Sequence, residues 1–305
     1  MIMDKASFTR NAVLIVASAF LVYNIYQVIT ATFFISHFEL MAQRLPNVIE
    51  SKNPQLQVAL FLTQELAGSI DAYLRLIAAL FAVNFAYLFY RKKPTYLKSL
   101  GKALLFESLY FLMFIPVVIN HFVGSVISTS VFLNFGTGLS YLLQIIVVCP
   151  TLLLVSLKLR KIPSLALALP WILLAASAYV FGLWIKQGFH WMYGILPMLT
   201  PTLIETAGSA NSLVTLLLAA LICTYAYFMA KTGRIKIWLI GSAFTLAGAY
   251  YVIYDLIAIY SPIYSAYLLL ADAWMAPVCL LGIALLYDYR KTAVHNCSAH
   301  QTESS

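Results

Sequence analysis

Charged residues are scarce in this sequence. Only 10% of the 305 residues are charged, whereas 62% are apolar, and a soluble globule of this size needs more charge to cover its surface. The apolar residues gather into runs of roughly 20, about the length of a helix that crosses a hydrocarbon core of about 30 Å. The composition therefore excludes a water-soluble protein and predicts an integral membrane protein.

Common signatures of catalysis and metal binding are also missing. There is no H-E-x-x-H, no G-x-S-x-G, no P-loop and no paired D-x-x-x-D on an apolar run. The four cysteines show no C-x-x-C spacing, so neither a zinc motif nor a disulfide framework is indicated. The last apolar run, 263–287, holds no lysine that could form a retinal Schiff base. No motif indicates an enzyme, an ATP-driven pump or a bound cofactor.

What the sequence does contain is a series of long, continuous apolar runs. Short alternating segments would indicate a membrane β-barrel, whereas continuous runs must satisfy their backbone polar groups as helices. The fold class is therefore all-α, a polytopic helical bundle. Eight spans are predicted, at about 11–34, 69–90, 103–122, 131–157, 163–185, 209–230, 237–260 and 264–287.

Lysine and arginine positions predict the orientation of this bundle. If the N-terminus is cytoplasmic and the spans alternate, 15 of the 19 Lys and Arg residues fall in inner segments, and all five inner segments are basic. Short cytoplasmic loops are enriched in Lys and Arg. The pattern predicts eight crossings with both termini in the cytoplasm, and the cell membrane is the expected location.

A single transmembrane domain, 1–289, is expected, followed by a short polar cytoplasmic tail, 290–305. The first apolar run, 11–36, is too long for the apolar region of a signal peptide and is interpreted as a retained span. Two outer segments are long. Part of 35–68 is expected to lie as a helix on the outer interface or to extend the neighbouring spans, and 186–208, which is rich in aromatics and holds Pro197 and Pro201, is expected to form an interfacial or re-entrant cap.

The partners expected from these features are the lipid bilayer and a small solute or ion. Basic loop residues account for the formal charge of +8, so no nucleic-acid partner is indicated. The sequence leaves open whether the protein forms an oligomer or is a subunit of a larger complex.

Ionisable residues inside spans are costly and are the best functional pointers in a membrane protein. Most of them fall in the predicted outer half. The candidate substrate- or ion-binding residues are Asp71, Arg75, Tyr251, Tyr254, Asp255 and Asp272. They predict either a polar cavity open to the outside or an Arg–Asp pair that only locks helices together.

Further polar residues are assigned around this candidate site. Asp272 is interpreted as a cation-binding carboxylate because Pro277 frees a backbone carbonyl beside it. Asn134 and Gln144 are expected to line the fourth span. Glu107 is placed about one turn above the cytoplasmic end of the third span, near Lys98 and Lys102, where it is expected to snorkel to the interface or to form a local ion pair.

His37 and His121 suggest a different class of function. Both are predicted at outer helix ends, where they could ligate a haem or a metal, although interfacial histidines are the commoner case. The leading hypothesis is a secondary transporter or permease for a small solute or ion. The alternatives are a quinone- or haem-binding subunit of an electron-transfer complex and a purely structural or assembly partner.

Overall fold

A computed structural model describes residues 5–44, 53–127, 131–190, 217, 221, 224, 237–258, 279–280 and 282–286. Within these ranges the regular elements are helices, with no strand. The helices are α1 (Lys5–Ser36), α2 (Phe38–Arg44), α3 (Pro54–Tyr90), α4 (Tyr96–Leu112), α5 (Ile115–Ile127), α6 (Val131–Leu159), α7 (Leu165–His190) and α8 (Ile237–Ala258).

Four apolar stretches in this part of the chain are long enough to cross a membrane. They are Thr9–Ser36, Pro54–Tyr90, Tyr96–Val123 and Gly138–Leu159. A shorter apolar stretch, Leu167–Tyr179, belongs to α7. The all-helical membrane class is thereby supported, whereas the count of eight spans and the side on which the termini lie stay predictions. The predicted sixth and eighth spans fall largely outside the described residues.

The second span begins much earlier than its apolar run predicts. Asn53 caps α3 by accepting a hydrogen bond from the backbone N–H of Leu56, and Pro54 occupies the first turn, where its missing N–H costs nothing. The 37 residues of α3 measure about 55 Å at 1.5 Å per residue. This helix therefore absorbs 54–68, the second half of the predicted first outer segment.

The third span is divided into two helices. Met113 and Phe114 donate backbone hydrogen bonds three residues back, to Tyr110 and Phe111, which ends α4 with a tightened turn. Pro116 follows in the first turn of α5 and has no N–H to continue the α4 ladder. The break lies within the candidate span Tyr96–Val123.

Small and polar residues bring the helices close together. α3 packs between α1 and α4, α6 packs against α4 and α5, and α7 packs against α6. Ser99 Oγ of α4 donates to the carbonyl of Phe81 and accepts from Asn84 Nδ2, at 2.9 and 2.8 Å. Ser156 Oγ of α6 donates to the Gly101 carbonyl at 2.6 Å. Such interhelical hydrogen bonds and small residues are typical of membrane bundles.

α8 packs on one side against α7 and on another against residues 279–286. Leu239 contacts Leu173, and Ala243 and Ala247 pack near Ala176. Along the other side, a Cβ added at Gly248 would meet Cys279, and one added at Gly282 would meet Thr245. Such close approach requires glycine at both contacts.

Basic turns gather at one end of the bundle. Arg91, Lys92 and Lys93 connect α3 to α4, and Arg160 and Lys161 connect α6 to α7. Gly101, near the start of α4, lies against Ser156 and Arg160, so the two turns share one end. We call this the basic end. The sequence predicts that it faces the cytoplasm.

Candidate charged site

Arg75 of α3 contacts side chains from two other helices. Its Nε lies 4.0 Å from Glu107 Oε2 of α4, and its guanidinium carbon lies 4.0 Å from the centroid of the Tyr110 ring. The guanidinium also interacts with the hydroxyl of Tyr179 in α7. One arginine therefore links α3, α4 and α7 by electrostatic and cation–π contacts.

Asp71 adds a second carboxylate to this group. It lies one helical turn before Arg75, at the i, i+4 spacing that places two side chains on one face, and it interacts electrostatically with both Arg75 and Glu107. Asp71 Oδ1 and Arg75 Nε are both buried without a hydrogen-bond partner. We call Asp71, Arg75, Glu107, Tyr110 and Tyr179 the charged site.

The charged part of α3 faces the interior of the bundle. The exposed apolar stripe of this helix consists of Leu66, Ile70, Tyr73, Leu80 and Tyr87. At 3.6 residues per turn, Asp71 and Arg75 lie on the opposite side of the helix from that stripe. Neither charge is therefore directed at lipid.

The other two helices show the same arrangement. On α4 the exposed positions are Lys98 and Lys102, and Glu107 lies on the opposite face. On α7 the exposed apolar residues are Leu167, Leu174 and Phe181, and Tyr179 again lies on the opposite face. Three helices thus turn their charged or hydroxyl-bearing residues toward a common interior.

Two side chains of the charged site are not completely covered. Arg75 and Glu107 keep 21% and 17% of their side-chain surface accessible. Both residues lie on the helix faces opposite the exposed apolar positions. A well-packed structural ion pair would cover both side chains and satisfy their remaining donors and acceptors.

The charged site lies well inside its three helices. Arg75, Glu107 and Tyr179 are about 11–15 residues from the ends of their helices at the basic end, or about 16–22 Å at 1.5 Å per residue, and Asp71 is one turn farther, at about 28 Å. The sequence places Asp71 and Arg75 within two turns of the outer end of the second span. α3 continues past that predicted end for four more turns, because the helix begins at Pro54 rather than near 69.

The expectation for Glu107 is wrong. α4 begins at Tyr96, seven residues before the predicted third span, so Glu107 lies three turns inside its helix and pairs with Arg75. Lys102, the expected partner, is exposed on the opposite face and places its Nζ 5.2 Å from the centroid of the Phe81 ring. The apolar run misleads here because lysines on the exposed face of a helix do not end the helix.

Other predicted site residues belong to α8 or lie beyond it. The backbone of α8 includes Tyr251, Tyr254 and Asp255, but their side chains are outside the described part of the chain, as is the whole of Asp272. The pairing of Arg75 with Asp255 or Asp272 stays a prediction. Arg75 already has Glu107 and Asp71 as carboxylate neighbours.

The two histidines make different sets of contacts. His37 lies just beyond α1, where its Nδ1 is 2.9 Å from both Ser36 Oγ and the Phe33 carbonyl and its ring stacks on Phe33. His121 of α5 stacks on Tyr141 of α6 with ring centroids 5.9 Å apart. Among the described residues, no three His, Cys, Asp or Glu side chains are grouped to hold a metal ion.

Of the two polar residues assigned to the fourth span, Gln144 is described and buried. Its Nε2 lies 3.4 Å from the Ser140 carbonyl, and a Cβ at Gly182 of α7 would come within 2.9 Å of its Cγ. Gln144 therefore belongs to the α6–α7 contact. Asn134 is helical, but its side chain is outside the description.

Aromatic side chains extend from the charged site toward α6. Phe111 contacts Tyr110, Phe114 and Tyr179, and Phe114 contacts Tyr141. Tyr110 and Tyr179 are the members of the site that the sequence does not single out. For Tyr110 a signal exists, because it follows Glu107 by three residues on the same helix face. Tyr179 lies in an otherwise uncharged apolar run and carries no such signal.

Comparison with known proteins does not identify a relative. No protein-family model matches the chain, and neither a curated protein nor a solved structure matches it. The described part of the chain is all-helical, with four helices long and apolar enough to cross a membrane, and the charged site is its most distinctive feature.

Proposed function

We propose that this protein is a secondary transporter or permease for a small solute or ion, and that the charged site is its binding site. One observation carries the proposal: Asp71, Arg75, Glu107 and Tyr179 come from three helices, face away from the exposed apolar surfaces and meet between the helices, where Arg75 and Glu107 keep part of their surface accessible. Substrate sites of transporters lie characteristically near the bilayer midplane, between helices.

The contacts of Arg75 favour this proposal over a purely structural ion pair. A guanidinium has five N–H donors, and its Nε is buried here without a hydrogen-bond partner. The 4.0 Å separation from Glu107 Oε2 is too long for a hydrogen bond. Arg75 therefore has donor capacity to offer an anionic group, with Glu107 as the resting counter-charge.

Transport by this site is testable with the purified full-length protein in proteoliposomes. Charge movement would be recorded on a solid-supported membrane during rapid exchange to solutions of L-amino acids, monocarboxylates, phosphate, sugars, nucleosides, choline, Na⁺ or K⁺. Protein-free liposomes serve as the blank. An uptake assay with labelled solutes covers electroneutral transport in the same preparation.

The decisive comparison is between two arginines. Arg75→Gln removes the interior guanidinium, whereas Arg91→Gln removes an exposed one in the turn between α3 and α4. We expect at least one solute class to give a signal in the parent protein and in Arg91→Gln and to lose it in Arg75→Gln. The absence of any signal in a folded parent protein, or an unchanged signal in Arg75→Gln, would overturn the proposal.

A further inference from the structure

The charged site contains more negative than positive charge. Asp71 and Glu107 oppose the single guanidinium of Arg75. The helices packed around them contribute little else: residues 11–36 of α1, 131–157 of α6 and 165–185 of α7 contain no charged side chain. The other titratable groups described on the neighbouring helices include Glu65 and Tyr73 of α3, Tyr23 and Tyr26 of α1, His121 of α5, and Tyr141 and Cys149 of α6. With both carboxylates ionised, the site has a net charge of −1.

One uncompensated charge between packed helices is unfavourable, so the site should take up one positive charge. Arg75 engages Glu107, Tyr110 and Tyr179, and among the carboxylate oxygens of the site the one buried without a hydrogen-bond partner is Asp71 Oδ1. Asp71 is therefore the group on which the positive charge can act most directly.

We propose that this positive charge is a proton and that Asp71 is the proton-binding carboxylate coupled to transport. A metal cation at Asp71 would lie beside the Arg75 guanidinium and would require several oxygen ligands. Within the described residues, no cluster of three potential metal-binding side chains exists. A proton needs only one carboxylate oxygen and, once bound, supplies a hydrogen-bond donor.

The step involves proton transfer alone. The Asp71 carboxylate takes a proton from water on one side of the membrane and becomes a neutral carboxylic acid, and it later returns that proton to water on the other side. No electron is transferred and no other bond is made or broken. The exchange requires water at the site, and the partly accessible side chains of Arg75 and Glu107 are where water would approach it.

This inference rests on the proposed function, and two measurements separate the two. Infrared difference spectroscopy of the reconstituted protein detects the C=O stretching band of a protonated carboxyl group, which shifts in D₂O. We expect such a band to appear as the pH is lowered, to be lost in Asp71→Asn and to persist in Glu65→Gln, the matched change two turns earlier on α3.

The second measurement follows transport. An imposed pH gradient should drive accumulation of the solute identified in the proteoliposome panel, and proton movement should register on internal pyranine. Asp71→Asn should lose this accumulation while still exchanging solute across the membrane at equal pH, and Asp71→Glu should restore it. Glu65→Gln should accumulate solute as the parent does.

The outcomes identify which idea fails. A protonated Asp71 band without transport of any solute would overturn the proposed function. Transport that ignores the pH gradient, or a parent protein whose carboxyl band survives Asp71→Asn unchanged, would overturn proton coupling through Asp71 while leaving the permease intact. If accumulation follows a Na⁺ gradient instead, the positive charge is Na⁺ and the assignment of a proton is wrong.

Discussion

Arg75 is the cation that interacts with both carboxylates of the charged site, so replacing it should destabilise the protein more than replacing Glu107. At the observed 4.0 Å, two unit charges interact by about 4 kcal/mol at an effective dielectric constant of about 20. Arg75→Met leaves Asp71 and Glu107 without a cation and also removes the contact with the Tyr110 ring, for an expected cost of about 3–5 kcal/mol. Glu107→Leu leaves Arg75 with Asp71 as a counter-charge, and the expected cost is about 1–2 kcal/mol.

The assay is reversible unfolding by sodium dodecyl sulfate in dodecyl maltoside micelles, followed by far-ultraviolet circular dichroism. Lys102→Met is the control, because it removes an exposed cation from α4 and should change the free energy of unfolding by less than about 0.5 kcal/mol. Adding Asp71→Asn to Arg75→Met should recover part of the lost stability. A cost for Glu107→Leu equal to or larger than that for Arg75→Met would refute the charge balance described above.

Three further substitutions test the packing of the bundle by the same unfolding assay. Gly101→Ala would place a Cβ 2.9 Å from the Ser156 carbonyl oxygen, so we expect the free energy of unfolding to fall by about 1–3 kcal/mol. A Cβ at Gly68 meets nothing within 4 Å, so Gly68→Ala should raise it by about 0.5–1 kcal/mol. Equal effects at the two glycines would contradict the close approach of α4 and α6. Asn24→Leu removes a fully buried amide that donates through Nδ2 to the Phe20 carbonyl at 2.7 Å but whose Oδ1 has no hydrogen-bond partner, so stability should change by less than about 1 kcal/mol. A larger loss would show that this oxygen has a partner such as bound water. Asn120→Leu breaks the side-chain hydrogen bond to Gln64 between α5 and α3 and should cost about 0.5–2 kcal/mol. An unchanged free energy of unfolding would contradict this expectation.

The membrane-spanning class follows from the sequence because it depends on the local sum of hydropathy. The first span illustrates this, since the sequence predicts a helix over 11–34 and α1 covers Lys5–Ser36. The N-terminal boundaries of α3 and α4 do not follow from the sequence. Hydropathy falls where a helix leaves the hydrocarbon or exposes a polar side chain, although the helix itself continues. Asn53 and Tyr96 mark those true beginnings, at the cap of α3 and the first turn of α4.

Arg75 and Asp71 stand out in the sequence because an ionisable residue within an apolar run is costly wherever the run folds. Their spacing of four residues also predicts a shared helix face without knowledge of any partner. Which residues balance these charges depends on the helices that pack beside α3, and that packing is not encoded in any local pattern. The sequence therefore identified the arginine and assigned its candidate counter-charges to Asp255 and Asp272.

Tertiary structure decided that Glu107 and Tyr179 complete the charged site. These residues are 32 and 104 positions away from Arg75 in the chain and meet it because α4 and α7 turn the faces opposite their exposed positions toward α3. By itself, the sequence determined that the chain is a helical membrane protein with an arginine and an aspartate on one interior face of α3. The depth of that pair and its partners were decided by helix packing, because the low-dielectric interior strengthens whichever opposite charges close packing brings together.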